Sequence, residues 1–413
     1  MLSRRALALI DAGIAAADPA GAVRAHLAHL AKDPPGPDGR WQIIAVGKAA
    51  RAMADAAMRA LPGAPALIVT NAGNDAPLAG AQMMTAGHPV PDAPGEAAAR
   101  AVEAAIAALG PDDRLLALIS GGGSAMLPAP VAGLDLAGKQ AVNRLLLASG
   151  ADITQMNLIR QALSRLKGGG WLRIGRAPVL AMILSDVPGD DLRVVASGPT
   201  VAPIGTVAQA AALARDLGIW DRLPGAAQDA LGRERGDAAA APVHNILIGS
   251  NAQSVAAICR AGAMAAPVPL AGDVEDCAAA MLGAVVAVPP GAAMAFGGET
   301  TVNLTGEGMG GRNQELALRF ARAAHGRLTG DWRLAVVGSD GRDGPGEAAG
   351  GVVGPGTLAR LRAAGVDLDA ALGRNDSTAA LAAAGALVTT GPTGTNVADL
   401  AVFLRPADGE AGD

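Results

Sequence analysis

The 413-residue sequence contains no tyrosine, and all aromatic residues together make up only 2% of it. Rings on which nucleic-acid bases could stack are therefore scarce, and a net charge of −5 provides no basic surface for a phosphate backbone. We expect no nucleic-acid partner. The sequence also lacks a stretch of about 18 apolar residues free of charge and proline, so we expect no membrane segment and a cytoplasmic protein.

Cysteine is nearly absent as well. Cys259 and Cys277 form no CxxC pair and have no neighbouring histidine cluster, so the sequence predicts neither a disulfide framework nor a zinc site. Near the amino terminus, Asp11 ends the apolar run that follows Arg4 and Arg5. This run is too short for a signal peptide, and the apolar spacing predicts an amphipathic helix.

Hydrophobic residues make up 51% of the chain, and they recur as short apolar runs followed by glycine-rich turns and alanine-rich helical stretches. Such runs predict strands at residues 41–46, 66–69, 115–119 and 179–184, and later at 245–248, 293–296, 334–337 and 400–404. Continuous apolar strands alternating with helices indicate an α/β fold with a mostly parallel sheet covered on both faces. Ligands of such sheets lie at the carboxyl ends of the strands.

A stretch rich in alanine, glycine and proline, from Leu223 to Pro242, is the candidate linker. It divides the sequence into a first domain over residues 1–240 and a smaller α/β domain over residues 241–413. The first domain is predicted to be Rossmann-like, with helices flanking its sheet and with a glycine-rich loop suited to an anion.

That loop directly follows the predicted strand at 115–119 and consists of Ser120, Gly121, Gly122, Gly123 and Ser124. Consecutive glycines let backbone N–H groups point into one concavity, which suits a phosphate. The alternative is a tight strand-to-helix turn without a ligand. The loop is not a Walker A motif.

Lysine is scarce, with only four in the chain, and Lys48 stands where the first strand ends. It is either a solvated surface residue or a cation placed at the ligand edge of the sheet. Asp186 and Asp343 lie in acidic loops that each follow a buried strand. Carboxylates at strand ends can hold Mg²⁺ or orient a hydroxyl, although ordinary turns also favour aspartate.

Arg312 opens a predicted helix after Gly310-Gly311, a position where the helix dipole disfavours a cation. An anion bound between Arg312 and the exposed N–H groups would explain this placement. Glu299 and Asn396 lie in further polar loops, and Asn313 follows Arg312. His88 fits an ordinary turn or packing role better than a catalytic one.

Taken together, these segments resemble the glycerate 2-kinase family, also called the MOFRL-type glycerate kinases. The resemblance covers nearly the whole chain in the family's order. Its segments include Ser-Gly-Gly-Gly-Ser at 120–124, Gly-Gly-Arg-Asn-Gln-Glu at 310–315 and Ser-Asp-Gly-Arg-Asp-Gly-Pro at 339–345, with further matches at 45–50, 86–92, 184–190, 196–200, 297–300 and 390–396.

The resemblance implies two α/β domains with the active site in the cleft between them. It implies transfer of a phosphoryl group from ATP to (R)-glycerate, giving 2-phosphoglycerate and ADP, with Mg²⁺ or another divalent cation. The implied roles are charge stabilisation by Lys48 and Arg312, phosphate binding by residues 120–124, and metal binding or hydroxyl orientation by Asp186 and Asp343. Glu299, Asn313 and Asn396 would bind the substrate or support those residues.

Three alternatives remain open from the sequence. Some family members are labelled hydroxypyruvate reductase, but an NAD(P)H enzyme needs a G-x-G-x-x-G turn after an early strand, and only Gly47 stands there. The acceptor could be another small sugar acid, or the protein could bind a ligand without catalysis. A homodimer also remains open.

Overall fold

The computed structural model describes residues 2–233, 236 and 239–407. In this part of the chain the helices are α1 (Leu2–Ala16), α2 (Pro19–Ala25), α3 (Ala50–Ala60), α4 (Ala93–Ala107), α5 (Gly123–Met126), α6 (Leu136–Ala148), α7 (Ile153–Ala162), α8 (Gly170–Ile174), α9 (Val207–Asp216), α10 (Gly225–Leu231), α11 (Asn251–Arg260), α12 (Val274–Val285), α13 (Arg312–Ala324), α14 (Thr357–Ala363), α15 (Leu368–Gly373) and α16 (Ser377–Ala383).

The strands are β1 (Trp41–Val46), β2 (Ala66–Thr70), β3 (Ala81–Thr85), β4 (Arg114–Ile119), β5 (Val179–Leu184), β6 (Val243–Gly249), β7 (Ala263–Ala265), β8 (Leu270–Asp273), β9 (Ala293–Thr301), β10 (Arg333–Gly338), β11 (Gly350–Val353), β12 (Leu387–Val388) and β13 (Asp399–Leu404). The chain forms two compact units, one over Pro19–Ile248 and the other over residues 2–18 with 249–407. We call them the parallel-sheet unit and the mixed-sheet unit.

The parallel-sheet unit contains a six-stranded sheet in the order β3-β2-β1-β4-β5-β6. Strands β1 to β5 pair in parallel, with Val46 at the end of β1 aligned with Ile119 at the end of β4. The strand order reverses at β1, so a crevice opens between the carboxyl ends of β1 and β4, where Rossmann-type sheets bind their ligands. This confirms the predicted Rossmann-like architecture of the first sheet.

Burial explains why these strands appear as unbroken apolar runs. Every residue of β5 is buried, as are residues 42–46 of β1 and 115–119 of β4. Helix α4 covers one face with Ala98, Val102 and Ile106. A separate apolar cluster joins α6, α7, α9 and α10. Helix α7 begins at the predicted cap Asp152, which forms a capping box with Gln155.

The mixed-sheet unit contains strands in the order β12-β11-β10-β13-β9-β7, with β8 also paired to β9. Its central pairs, β10 with β13 and β13 with β9, are antiparallel, whereas β7 and β8 run parallel to β9. Phe403 of β13 packs on the core beneath α12 and α13. Leu400 and Val402 point to the opposite face, which α1 and α11 cover.

The structure corrects the predicted division of the chain in three respects. Helix α1 buries Leu2, Ala6, Leu9 and Ile10 in the mixed-sheet unit, so residues 2–18 do not belong with the first sheet, in contrast to the predicted domain over 1–240. The strand predicted at 245–248 is β6 of the first sheet, and the change of unit falls at residue 249 rather than 240. The expected linker contains α10, while residues 234, 235, 237 and 238 lie outside the described residues.

Five strands were not predicted, namely β3, β7, β8, β11 and β12, because they are short or carry polar and small residues at their ends. No single helix in residues 2–233 and 239–407 combines the length and apolar character that a membrane span needs. Helix α1 and the helical segment from residue 19 to 32 pass that test only when they are counted together as a bent pair.

Candidate active site

The ends of β1 and β4 are fastened to each other, which fixes the position of Lys48. The Lys48 backbone N–H donates to the Gly121 carbonyl over 2.9 Å. Ser120 is buried, and its hydroxyl donates to the Val46 carbonyl and accepts from the Ala49 N–H, both at 3.2 Å. The predicted phosphate-binding residue Ser120 therefore holds the two turns together with its own side chain.

The glycines of the loop make room for side chains from neighbouring strands. A Cβ atom on Gly121 would lie 1.9 Å from Oδ2 of Asp186, and one on Gly122 would lie 3.1 Å from Cδ2 of His88. Gly122 also has a φ of 85°, which favours glycine. The sequence pattern located this loop correctly, but it did not reveal that Asp186 and His88 lie against it.

The charge of Lys48 acts on both Asp186 and His88. Burial raises the pKa of Asp186, and the positive charge of Lys48 opposes part of that rise. Burial and Lys48 together lower the pKa of His88, so this histidine is neutral at physiological pH. The crevice therefore holds one ammonium group beside one half-buried carboxylate, a pair that could act on an anion and on a hydroxyl.

Ser124 ends the loop inside a polar network that sequence reasoning missed. Its hydroxyl lies 2.9 Å from the Ser197 hydroxyl, which donates to Oδ1 of Asn157 over 2.7 Å. The Lys167 ammonium donates to the Ser124 hydroxyl over 2.8 Å and to its carbonyl over 2.7 Å. Lys167 is only 3% exposed. The scarcity of lysine in the sequence was the available signal for it.

In the mixed-sheet unit, Arg312 begins α13 and is surrounded by carboxylates. Its Nε and Nη2 donate to the two oxygens of Asp399 at 2.6 and 3.0 Å, and its Nη1 lies 2.9 Å from Oε1 of Glu299. Burial alone would lower the pKa of Arg312, but Asp399 and Glu299 reverse this and raise it. The anion expected beside this cation is thus in part supplied by the chain itself.

Asp343 caps the start of the same helix. Its Oδ1 accepts from the Asn313 backbone N–H at 3.1 Å and from the Asn313 side chain at 3.2 Å, and its Oδ2 accepts from the Gln314 N–H at 2.8 Å. A carboxylate at a helix N-terminus is favoured by the dipole. Burial nevertheless raises the pKa of Asp343 to about 6 against these hydrogen bonds, and Asp399 adds to the rise.

Asp399 is the central residue of this cluster, and the sequence did not indicate it. It is fully buried and accepts from both Arg312 and Asn313, the latter over 2.9 Å. Burial raises the pKa of Asp399, and Arg312 opposes that rise. Asn396 precedes it by three residues and bonds to the N–H of Ala398, whose φ is 63°. An aspartate opening an apolar strand resembles an ordinary strand end, which is why it was missed.

The predicted site residues thus form two groups. Lys48, Asp186 and the glycine-rich loop meet in the parallel-sheet unit. Arg312, Glu299, Asn313 and Asp343 meet around Asp399 in the mixed-sheet unit. In the described residues, no group of three or more histidine, cysteine, aspartate or glutamate side chains is arranged to hold a metal ion.

In comparisons with known proteins, two different family models match the two parts of the chain. A domain of unknown function, DUF4147, matches residues 5–232, and the MOFRL family matches residues 292–399. A protein named D-glycerate 2-kinase from Thermotoga maritima is 37% identical over 98% of this chain and 98% of its own. This chain belongs to the MOFRL-type glycerate kinase family.

Other family members extend the likeness. The crystal structure of glycerate kinase from Thermotoga maritima superposes with a TM-score of 0.84 at 35% identity, covering 96% of this chain and 97% of the other. A protein from Agrobacterium vitis, provisionally named hydroxypyruvate reductase, is 41% identical over 96% of this chain and 93% of its own. The family thus includes some proteins named glycerate kinase and others named hydroxypyruvate reductase.

Proposed function

We propose that this protein phosphorylates glycerate with ATP, and that it transfers the phosphoryl group to the 2-hydroxyl of (R)-glycerate. The observation that carries the proposal is the crevice between β1 and β4, where Lys48 and Asp186 meet a glycine-rich loop at the reversal of a Rossmann-type sheet. Relatives named glycerate kinase, similar over nearly the whole chain, support the same acceptor.

In this proposal Lys48 and Asp186 have separate catalytic roles in the parallel-sheet unit. The Lys48 ammonium neutralises charge on the transferring phosphoryl group. The Asp186 carboxylate orients the acceptor hydroxyl and accepts its proton, a role that a raised pKa favours. Phosphoryl transfer depends mainly on such positioning and charge neutralisation.

Arg312 is the proposed cation from the mixed-sheet unit. Two of its nitrogens are fixed by Asp399, while its side chain remains 35% exposed. A guanidinium held in one orientation can bind a phosphoryl group at little cost in lost freedom. We include in the proposal that catalysis needs Arg312.

A divalent cation is part of the proposal, and the two predicted ligands do not fit it equally. Both oxygens of Asp343 already accept hydrogen bonds from the start of α13. Asp186 is half-buried and lies beside the loop, so it suits a cation that arrives with nucleotide phosphates. Magnesium in kinases commonly uses one or two carboxylates together with phosphate oxygens. When bound, it would neutralise phosphate charge.

We therefore expect turnover to stop when EDTA removes divalent cations and to return when excess Mg²⁺ is added. The Asp186→Asn variant should need a higher Mg²⁺ concentration for half-maximal rate, because a neutral amide is a weaker ligand, and its rate should stay low at saturating Mg²⁺, because the amide cannot accept the proton of the hydroxyl. Full turnover in metal-free buffer would contradict this part of the proposal.

The hypothesis of an NAD(P)H-dependent hydroxypyruvate reductase has weaker support in the structure than the kinase hypothesis. A dinucleotide-binding sheet carries an acidic residue near the end of its second strand to bind the ribose. Here β2 ends at Thr70 and continues with Asn71. The turn after β1 contains the single Gly47 followed by Lys48. These residues suit a phosphate better than the ribose of NAD(P)H.

One experiment separates the candidates. The purified protein is incubated with ATP, Mg²⁺ and a panel of hydroxy acids, ADP release is followed by a coupled assay, and the phosphorylated carbon is identified by NMR. We expect (R)-glycerate to give the highest kcat/KM and a product phosphorylated at carbon 2. Oxidation of NADH by hydroxypyruvate without ATP would instead establish the reductase. A product phosphorylated at carbon 3 would overturn the regiochemistry alone.

A further inference from the structure

Three cations of the parallel-sheet unit lie together near the glycine-rich loop. Lys139 is on α6, Arg160 is on α7, and Lys167 precedes α8. The two lysines are 7% and 3% exposed, and Arg160 is half-buried. We call these residues the cation cluster. Two of the chain's four lysines are therefore buried at one place, although lysine is seldom buried unless it is paired.

In the part of the chain that the structure describes, no carboxylate forms an ion pair with the cation cluster, and none contributes to the pKa shifts of its three members. Lys167 donates to the carbonyl and hydroxyl of Ser124, and Nε of Arg160 donates to Oδ1 of Asn143 over 2.8 Å. Lys139 is 7% exposed, it makes no side-chain hydrogen bond within residues 2–233 and 239–407, and its ammonium keeps some contact with solvent. Neutral oxygens are therefore the partners seen for Lys167 and Arg160, and within the described residues Lys139 has no side-chain partner.

Burying like charges together is unfavourable, and the lowered pKa values of Lys139 and Lys167 reflect this cost. Burial and Arg160 lower the pKa of Lys139 to about 8. Burial, Lys139 and Arg160 lower the pKa of Lys167 well below its usual value. A bound anion would remove both penalties by supplying the missing negative charge.

The cluster is joined to the loop that follows β4. The Ser124 hydroxyl lies beside the Lys167 ammonium, and Gly123 and Ser124 are the first residues of α5. The Ser197 hydroxyl connects Ser124 to Asn157 on α7, the helix that carries Arg160. An anion bound by the cluster would thus lie next to the proposed site of phosphoryl transfer.

We propose that Lys139, Arg160 and Lys167 form a binding subsite for a small oxyanion group, either the carboxylate of the acid substrate or a phosphate. This inference rests on the proposed function, since it places a further part of the substrates in the same unit. It explains why the positive groups lack a carboxylate partner from the chain itself.

Lys139→Met tests the subsite, because Lys139 makes no side-chain hydrogen bond in the described structure and its loss leaves the Ser124 network intact. Lys32→Met, which replaces an exposed lysine of the same unit, is the matched control. Isothermal titration calorimetry of the whole protein measures binding of D-glycerate, inorganic phosphate and a non-hydrolysable ATP analogue. A cooperative thermal unfolding transition verifies that each variant folds.

We expect Lys139→Met to weaken one class of ligand by about 10-fold or more, while Lys32→Met binds like wild type. Weaker binding of D-glycerate alone assigns the subsite to the carboxylate. Weaker binding of phosphate and the ATP analogue assigns it to phosphate. Unchanged binding of all three ligands overturns the proposal. Since no turnover is involved, this result is independent of whether the kinase assignment holds.

A second measurement distinguishes binding from a structural role. Lys139 has a pKa of about 8, so at pH 8 a nearby anion should draw a proton onto it. Titrations in two buffers of different ionisation enthalpy should show uptake of roughly half a proton in wild type and less in Lys139→Met. Equal uptake in both proteins would count against contact between Lys139 and the anion.

Discussion

At the scale of single residues, the start of α13 concentrates charge in a small, partly buried space. Arg312 and Asn313 face three carboxylates, those of Glu299, Asp343 and Asp399. Sequence reasoning identified four of these five residues from their glycine-rich surroundings. It could not find Asp399, because only the fold brings the first residue of β13 beside the first residue of α13.

We predict that Arg312→Ala lowers kcat by at least about 10²-fold with a smaller change in KM for ATP. A contact made mainly in the transition state affects kcat and kcat/KM together. Steady-state kinetics measures both. The control is Arg322→Ala, because Arg322 lies on the same helix as Arg312 but pairs with Glu275 and Asp369 instead. This variant should keep wild-type kcat. Wild-type kcat in Arg312→Ala would exclude the proposed role.

Asp343 should make stability depend on pH in a defined direction. Its pKa is raised to about 6 in the folded protein against an ordinary value near 3.8. Between these values the folded state binds more protons than the unfolded state, so the contribution of this group to the free energy of unfolding falls as pH rises. Below about pH 4 both states are protonated, and the contribution is at its most favourable.

The measurement compares wild type and Asp343→Asn by urea unfolding from pH 4 to pH 7. Whatever the substitution costs at pH 4, the variant should gain about 2–3 kcal/mol relative to wild type by pH 7, because it has no carboxyl to ionise. Two curves that stay parallel over this range would show that Asp343 titrates normally.

At the scale of elements, the loop after β4 shows what a local pattern can and cannot predict. The apolar run at 115–119 predicted that the loop follows a buried strand, and the three consecutive glycines indicated its backbone freedom. The need for those glycines is nonlocal, since Asp186 comes from the end of β5 and His88 from the segment after β3. Long apolar strands such as β1 and β5 were predicted to the residue for the same reason that short β7 and β12 were not.

Gly121→Ala should therefore harm activity through Asp186. The new Cβ would lie 1.9 Å from the carboxylate, so either the loop or Asp186 must move. We expect kcat/KM to fall at least about 10-fold, since small displacements of catalytic groups are costly. Gly225→Ala at the start of α10, where no atom lies within 4 Å of the new Cβ, should leave kcat/KM unchanged. Wild-type kcat/KM in Gly121→Ala would contradict the proposed role of Asp186.

At the scale of the whole molecule, the division into two units was predicted, but the path of the chain between them was not. The amphipathic pattern of α1 is the same whichever sheet it covers, so the pattern alone could not assign the helix to the second unit. In the structure Leu9 and Ile10 pack with Ile258 and Val402. The mixed-sheet unit is therefore built from both ends of the described chain.

Ile10→Ala should destabilise the mixed-sheet unit selectively, by about 2–5 kcal/mol for a buried isoleucine. Hydrogen exchange followed by mass spectrometry should become faster in β10 and β13, with little change in β1 and β4. Arg4→Ala, at an exposed position on the same helix, is the control. Equal acceleration in both sheets would mean that the two units unfold together.

The placement of α1 has a consequence for synthesis on the ribosome. This helix is translated well before the strands and helix that bury its apolar face, which lie at residues 251–404. The parallel-sheet unit can form in the interval, because its residues are contiguous and domains generally fold as they emerge. During that time Leu2, Leu9 and Ile10 lack the native partners that come from those later elements, and chaperones that recognise short apolar helices would find a target in α1.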